Sequence, residues 1–300
     1  MKIFSGSSNK PLAEKISKEL SINLSPLEIH IFPDSERRVR LLDDVMGEDV
    51  VVVQTCSQPV EANYMELFFI IDAVKRNGGK NITAVVPYLG YQRQDHVFRS
   101  GEAVSLLVII KMLETGGVGK LIAFDLHSVK IPELFNIPVA HLSALPVFAE
   151  KIKEEGWDKD SILVAPDMGA IRRIKLISEM LNGAKFAVIE KERDLETGEV
   201  KVQSAEGLNH HKRAIIVDDM ISSGGTIAVS AEFLRKNGVE EVIVFATHPV
   251  FSKEAPNILQ ESAAIKKVYV TDSIDIPKDK RFEKLETLSI AKVVADELKS

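Results

Sequence analysis

Short runs of β-branched and aliphatic residues alternate with amphipathic helical stretches along almost the whole chain, and this constrains the fold more than any other feature. Val50–Gln54, Ile82–Pro87, Lys120–Asp125, Ser161–Pro166, Lys185–Glu190, Arg213–Asp218 and Glu241–Thr247 read as buried strands. Each is a nearly continuous apolar run of about five residues, as expected for parallel strands covered on both faces. Glu61–Asn77, Glu102–Glu114, Gly169–Leu181 and Thr226–Asn237 read as the helices between them, with glycine stops at Gly78, Gly116, Gly183 and Gly238. Strand–helix–strand alternation at this spacing means an α/β fold with a mainly parallel sheet. Ligands in such sheets sit at the carboxyl ends of the strands, so the residues that close each strand carry the functional reading.

Three hundred residues exceed the usual capacity of one hydrophobic core, which predicts two domains. An internal echo points the same way. Val86-Pro87-Tyr88-Leu89-Gly90-Tyr91-Gln92-Arg93 shares its proline, glycine and arginine offsets with Ala165-Pro166-Asp167-Met168-Gly169-Ala170-Ile171-Arg172. Each segment precedes a strand that ends in aspartate, Asp125 and Asp218. The expected division is 1–143, 144–284, and a final helix over Leu285–Leu298 packing back on the body within 285–300. A net charge of −6 argues against a general nucleic-acid partner. The apolar runs are too short for a membrane span, and the first residues lack a secretory core, so a cytoplasmic protein is expected. The single cysteine, Cys56, reads as a small buried hydrophobe at a strand end.

The strongest chemical signal is Ile215-Ile216-Val217-Asp218-Asp219-Met220-Ile221-Ser222-Ser223-Gly224-Gly225-Thr226. An apolar strand runs into two acids, then a turn rich in hydroxyls and glycine, then a helix. Glycines let the backbone approach an anion, helix-start amides point at it, and Ser222, Ser223 and Thr226 add hydroxyl donors for a phosphate monoester. Asp218 and Asp219 repel that phosphate and suit ribose hydroxyls or a metal instead. The spacing lacks the lysine of a Walker loop.

Four further segments stand at turns or strand ends. Phe32-Pro33-Asp34-Ser35-Glu36 is, taken alone, as good a proline turn as a binding element. Arg93 offers a fork of donors to phosphate oxygens and Gln94 a neutral amide, although a lone arginine is more often a solvated charge. Asp125-Leu126-His127 places a histidine where it can ligate a metal; a hydrogen-bonded core histidine is the alternative, and the preferred reading for His30, His141 and His248. His210 and His211 read as solvent-facing. Lys191-Glu192-Arg193-Asp194 carries two cations, and the turn-like Glu196-Thr197-Gly198-Glu199 that follows also suits a hairpin of alternating charges.

Together these segments resemble the ribose-phosphate pyrophosphokinase (PRPP synthetase) family. The Asp218–Thr226 stretch is similar to a motif shared with phosphoribosyltransferases. The others resemble the family's Phe-(Ser/Pro)-Asp-Gly-Glu, Pro-Tyr-x-x-Tyr-x-Arg-Gln-Asp, Asp-Leu-His, Pro-Asp-x-Gly-x-x-Arg and Lys-x-Arg elements, in family order. Ser35 stands where the family usually has glycine. His96-Val97-Phe98-Arg99 and Val129–Phe135 depart from the family's usual continuations.

The resemblance implies two similar phosphoribosyltransferase-like domains and the substrates ATP and ribose 5-phosphate, giving 5-phosphoribosyl 1-pyrophosphate and AMP. It implies that Phe32, Asp34, Ser35 and Glu36 reach the ATP of a neighbouring subunit, hence at least a homodimer, with Arg93 and Gln94 on the triphosphate. It gives His127 and Asp167 to Mg²⁺, and Lys191 and Arg193 to the transferring group at the start of a mobile loop. Asp218, Asp219, Ser222, Ser223, Gly224, Gly225 and Thr226, with Arg193, would hold ribose 5-phosphate. A phosphoribosyltransferase, or a non-catalytic regulatory relative, is the competing reading.

Overall fold

The computed structural model describes residues 1–193, 200–205, 208 and 211–300, the side chains of 190–193 and 200–205 excepted. In chain order the elements are β1 (Lys2–Ser5), α1 (Lys10–Leu20), β2 (Leu27–Ile31), β3 (Arg37–Leu41), β4 (Asp49–Val53), α2 (Val60–Arg76), β5 (Asn81–Val85), α3 (Ser105–Gly116), β6 (Lys120–Phe124), β7 (Val139–Leu142), α4 (Leu145–Glu154) and β8 (Ser161–Ala165). Then follow α5 (Ile171–Met180), β9 (Phe186–Arg193), β10 (Val200–Ala205), β11 (Arg213–Ile221), α6 (Gly225–Lys236), β12 (Glu241–Pro249), α7 (Ala255–Glu261), β13 (Ile265–Thr271), β14 (Leu285–Leu288) and α8 (Ala291–Lys299). They form two compact units. One comprises Met1–Leu142, Ser273–Asp275 and Ser289–Ser300; the other comprises Ser143–Asp272 and Ile276–Leu288.

The first unit is built on a parallel five-stranded sheet in the order β1-β4-β5-β6-β7. Val50, Val52, Ala84, Leu121 and Ala123 from its strands pack with Leu67, Ile70 and Val74 of α2 and Ile110 and Leu113 of α3. Val51, Val53, Val85, Ile122 and Phe124 on the opposite face are buried too, and burial on both faces explains why each strand reads as a continuous apolar run rather than an alternation. The antiparallel pair β2–β3 is a separate hairpin. Cys56 is fully buried, and burial pushes its thiol pKa well up.

The second unit has seven strands in the order β10-β9-β8-β11-β12-β13-β14, parallel except for β9 with β10. From β8 the chain moves to β9 on one side, then returns to β11 on the other. The sheet therefore reverses direction between β8 and β11, and a crevice opens outside the carboxyl ends of such a strand pair.

Two expectations are corrected. Leu285–Leu298 is not one helix: Leu285–Leu288 pairs in parallel with β13, and the helix starts at Ala291, where Ser289 Oγ accepts from the Ala291 N–H at 3.3 Å. The helical periodicity belongs to the short α8 alone, whose Val294 and Ala295 are buried and whose Glu297 pairs with Lys120 at 2.6 Å. The glycine stop after α3 is Gly117, in the left-handed region at φ 113°, rather than Gly116, which is still helical. Gly78, Gly183 and Gly238 follow their helices with positive φ, as expected. No helix among the described residues is long and apolar enough to cross a membrane.

Candidate active site

In the first unit the candidate residues lie on three loops that leave strands and on the tip of the β2–β3 hairpin. The loop after β1 is tied down by the buried carboxylate of Glu66, which accepts from Ser7 N at 2.6 Å and Ser7 Oγ at 2.9 Å. Gln54, at the end of β4, accepts from Ser8 Oγ at 2.7 Å and donates to Glu66 at 3.0 Å. A Cβ on Gly6 would lie 2.2 Å from Gln54 Oε1, so only glycine lets this loop pass. Arg37, at the start of β3, sits 3.7 Å from Glu66 and donates to Ala62 O at 3.0 Å. The hairpin is thereby anchored at its base.

At the hairpin tip, Ser35 N donates to Phe32 O at 2.9 Å and Glu36 N to Asp34 Oδ1 at 3.2 Å, closing a tight turn. Phe32, Asp34, Ser35 and Glu36 are all exposed. His30 packs edge-on against Phe32 with ring centroids 4.6 Å apart, and the Arg38 guanidinium lies 5.9 Å from the Phe32 ring. His30 is thus an exposed hairpin residue, not the core histidine expected: it sits on a two-stranded ribbon outside the five-stranded sheet. Ser35 has φ 73°, which explains why glycine is the usual occupant of this turn. Ser35→Gly is expected to raise stability by about 0.5–1 kcal/mol, the left-handed penalty less the extra unfolded-state freedom of glycine. Urea unfolding would show this as a higher midpoint at unchanged slope; a lower midpoint would mean the turn is unstrained.

The Tyr88–Asp95 loop leaves β5 and is held on several sides. Tyr64 Oη donates to Gly90 O at 2.8 Å, and a Cβ on Gly90 would come within 2.5 Å of Cys56 O. Tyr91, at φ 64°, turns its hydroxyl to Glu61, which lowers the carboxyl pKa of Glu61 and raises that of the phenol. Gln94 N closes back on Tyr91 O at 2.8 Å. This leaves the side chains of Arg93 and Gln94 exposed on a fixed backbone. Next to it, β6 ends in Asp125 (φ 32°) and the loop turns out, with Leu126 N donating to His141 Nε2 at 2.9 Å and His127 N to Gln92 Oε1 at 2.9 Å. His127 is exposed. His141 is hydrogen-bonded as expected but exposed rather than in the core, because it lies on the edge strand β7. His248 is fully buried in β12, and His211 is half-buried.

In the second unit, Asp167 follows β8 and caps the short turn Met168–Ala170, accepting from Ala170 N at 3.2 Å. Asp218 and Asp219 lie near the carboxyl end of β11, the strand paired with β8. Both strands end at the reversal of the sheet. A residue that sequence reasoning passed over lies here. Arg173, at the start of α5, approaches Asp218 Oδ1 at 3.2 Å and Asp219 Oδ2 at 3.8 Å, and the three side chains are only 9–15% exposed. Its neighbour Arg172, which matched the motif spacing, is exposed instead. The available signal was helical: Arg173 lies three residues after the buried Ala170 and one before the buried Ile174, on the sheet-facing edge of α5.

Burial and the adjacent charge of Asp219 push the Asp218 pKa well above the ordinary carboxylate range, and Arg173 only partly opposes them. An ionised Asp218 therefore gains from further hydrogen-bond donors, and vicinal hydroxyls of a sugar are such donors. After Ile221 the chain turns: Ser222 Oγ lies 3.1 Å from Ser252 Oγ, and Gly224 at φ 79° opens α6. A Cβ at Gly224 would meet Ala255 only at ordinary contact distance, so it is the left-handed turn that calls for glycine. Gly225 and Thr226 supply the first amides of a 12-residue helix, whose N-terminus favours anions. Ser223 and Thr226 are exposed at this end.

The backbones of Lys191 and Arg193 belong to β9, in register with Val202 and Val200 of β10. Their side chains, the turn 196–199 and His210 lie outside the described residues. Among the described residues no three acidic, cysteine or histidine side chains gather as a metal cage.

A family model described as the N-terminal domain of ribose phosphate pyrophosphokinase matches residues 1–117, and a phosphoribosyl transferase domain model matches residues 141–283. The ribose-phosphate pyrophosphokinase of Fusobacterium nucleatum is 38% identical over 297 residues, 99% of this chain and 93% of that protein. The chain belongs to the ribose-phosphate pyrophosphokinase family. Ribose-phosphate pyrophosphokinase 2 of Enterococcus faecalis is 36% identical over 300 residues, all of this chain and 92% of that protein. The crystal structure of phosphoribosylpyrophosphate synthetase from Mycobacterium smegmatis superposes with a TM-score of 0.92 at 34% identity, covering 99% of this chain and 97% of that one. The two-unit, phosphoribosyltransferase-like architecture is therefore that of ribose-phosphate pyrophosphokinases across essentially the full length.

Proposed function

We propose that the protein is a ribose-phosphate diphosphokinase that transfers the β,γ-diphosphoryl group of ATP to the C1 hydroxyl of ribose 5-phosphate. The observation that carries this reading is the cradle at the sheet reversal. There two buried acids braced by Arg173 stand at the end of β11, directly before a glycine turn that opens the N-terminus of α6. Such a site suits a ligand with hydroxyls at one end and a phosphate monoester at the other. Ser222, Ser223, Gly224, Gly225 and Thr226 would grip the 5-phosphate, and Asp218 and Asp219 the ribose hydroxyls.

In the reaction the C1 oxygen forms a bond to the β-phosphorus, the bond from that phosphorus to the α,β-bridging oxygen breaks, AMP leaves, and the hydroxyl proton is lost. The protein's part is to position reactants and stabilise spreading negative charge. Arg93 and Gln94 would hold triphosphate oxygens. Lys191 and Arg193 would meet the charge on the transferring group. Phe32, Asp34, Ser35 and Glu36, exposed at the hairpin tip, would bind the adenosine of a neighbouring subunit's ATP, so the active form is at least a homodimer. Sedimentation of a fully active preparation as a strict monomer would overturn that assembly.

The resemblance gives His127 and Asp167 to Mg²⁺, and each taken by itself, an exposed imidazole and a carboxylate, is a competent ligand for an ion that keeps waters and relies on substrate phosphates. When bound, the ion would neutralise triphosphate charge. Substrates that are both phosphorylated accord with a cytoplasmic location. The test is incubation of purified protein with ATP, Mg²⁺ and ribose 5-phosphate, with products resolved by phosphorus NMR. Appearance of 5-phosphoribosyl 1-pyrophosphate and AMP without a nucleobase is expected. Nucleotide binding with no AMP release would favour a non-catalytic relative.

A further inference from the structure

The β2–β3 hairpin stands outside the five-stranded sheet, and its inward face changes character towards the turn. Leu27 and its register partner Leu41, with Val39, pack against the hydrophobic core of the first unit. At the last rung of the strand pair that burial has ended, and Ile31 is 56% exposed. Its partner on the same face is Arg37, a cation where the strand alternation calls for an apolar residue. The Arg37 side chain is nonetheless only 17% exposed. It reaches back to α2, donating to Ala62 O at 3.0 Å and lying 3.7 Å from the Glu66 carboxylate. Glu66 is itself fully buried and is fixed by Ser7 N, Ser7 Oγ and Gln54 Nε2 at 2.6, 2.9 and 3.0 Å. A buried ion pair gains little stability over apolar side chains of like volume. What it supplies is direction: a guanidinium seated between a carbonyl and a carboxylate fixes the angle of approach, whereas an aliphatic side chain can slide along a helix face.

We propose that Arg37 is a positioning residue that sets the hairpin turn for a nucleotide held by the neighbouring subunit. This rests on the reading given above of Phe32, Asp34, Ser35 and Glu36 as adenosine-binding groups. Arg37 directly follows Glu36, whose carbonyl accepts from Phe32 N at 2.8 Å, so the tether passes straight to the turn. Through Glu66 it runs on to the loop after β1 and to Gln54 at the end of β4. The turn is thereby referenced to the parallel sheet and not to the hairpin alone. Arg37 touches no reactant, and its effect belongs to the nucleotide site of the neighbouring chain rather than to its own.

The test is steady-state kinetics of Arg37→Met, Arg37→Lys and Phe32→Ala, with thermal melting of each. Arg37→Met keeps an aliphatic stem and removes the guanidinium. It should raise the KM for ATP about 10- to 100-fold, the scale of a misplacement near 1 Å, with kcat and the KM for ribose 5-phosphate within about threefold. Arg37→Lys, which keeps the charge, should recover part of the loss. Oligomers co-assembled from Arg37→Met and Lys191→Ala chains then show where the effect acts. There the working catalytic site belongs to the Arg37→Met chain, and an intact hairpin reaches it from the Lys191→Ala chain. Mixing should therefore restore a wild-type ATP KM that neither variant shows alone. An ATP KM that stays raised means that Arg37 acts within its own subunit and overturns the proposal. So does an unchanged ATP KM in Arg37→Met, or an equal rise for both substrates. Should Arg37→Met not fold, Arg37→Gln takes its place in the same comparisons. If Phe32→Ala leaves the ATP KM at its wild-type value, the adenosine-binding reading of the hairpin fails, a result distinct from a failure confined to Arg37.

Discussion

Lys191→Ala is expected to lower turnover by about 10²–10⁴, the scale of losing one preorganised charge donor at a transferring group. Affinity for ribose 5-phosphate should change by no more than about twofold, because the residues proposed to hold it lie on β11 and at the start of α6, not on β9. The electrostatics of the second unit make a cation necessary. Asp218 and Asp219 stand together at the sheet reversal, and burial and the Asp219 charge, with a lesser contribution from Asp167, raise the Asp218 pKa. Bringing a polyphosphate to such a region needs positive charge beside it. We propose that Lys191 carries that role, as the resemblance to the family's Lys-x-Arg element implies; its backbone lies on β9. Rapid-quench measurement of AMP release in a single turnover would separate chemistry from product release. A loss smaller than about threefold would move the role from Lys191 to Arg193 or another cation.

The second large effect is at Arg173. Arg173→Met should destabilise the protein at neutral pH by about 3–5 kcal/mol, the range for removing one partner of a buried charge pair. It should also weaken ribose 5-phosphate binding, since the acids proposed to meet the sugar lose their brace. The deficit has a definite pH signature. The folded-state pKa of Asp218 is raised, so its contribution to stability is complete below the unfolded-state value and is lost as pH rises through the folded-state value. Without Arg173 that pKa rises further, and at lower pH the variant can neutralise Asp218 by taking up a proton. Urea unfolding should therefore show a gap between wild type and variant that is wider at pH 8 than at pH 5. A pH-independent gap would mean that Arg173 acts by packing alone. Arg173→Lys, which keeps the charge but not the planar fork, should recover only part of the loss, because two separate carboxylates are served by two guanidinium nitrogens.

Particular residues show where sequence is sufficient. The core strands could be read because burial on both faces forces unbroken apolar runs, and β4, β5, β6, β8, β11 and β12 lie within a few residues of their expected bounds. Asp218 to Thr226 could be read because a glycine turn after two acids has few structural uses. The β2–β3 hairpin, whose residues are all at least partly exposed, gave no apolar run and was legible only as a turn around Pro33. The histidines were the least legible: His30, His141 and His248 look alike in sequence, and only sheet position separates the exposed pair on a ribbon and an edge strand from the buried one in a central strand.

By itself, the sequence determined the class of fold and the existence of two halves, and it singled out the Asp218–Thr226 stretch as the candidate site. These depend on local periodicity and on short segments whose members are neighbours along the chain. Tertiary structure alone decided which arginine serves the acids, that Gln92 joins two loops, and that Asp167 and Asp218 share one sheet reversal. The first two are contacts between residues 35 or more positions apart and the third is a placement at the ends of paired strands; all are set by strand order and helix facing, and a linear pattern carries no record of either.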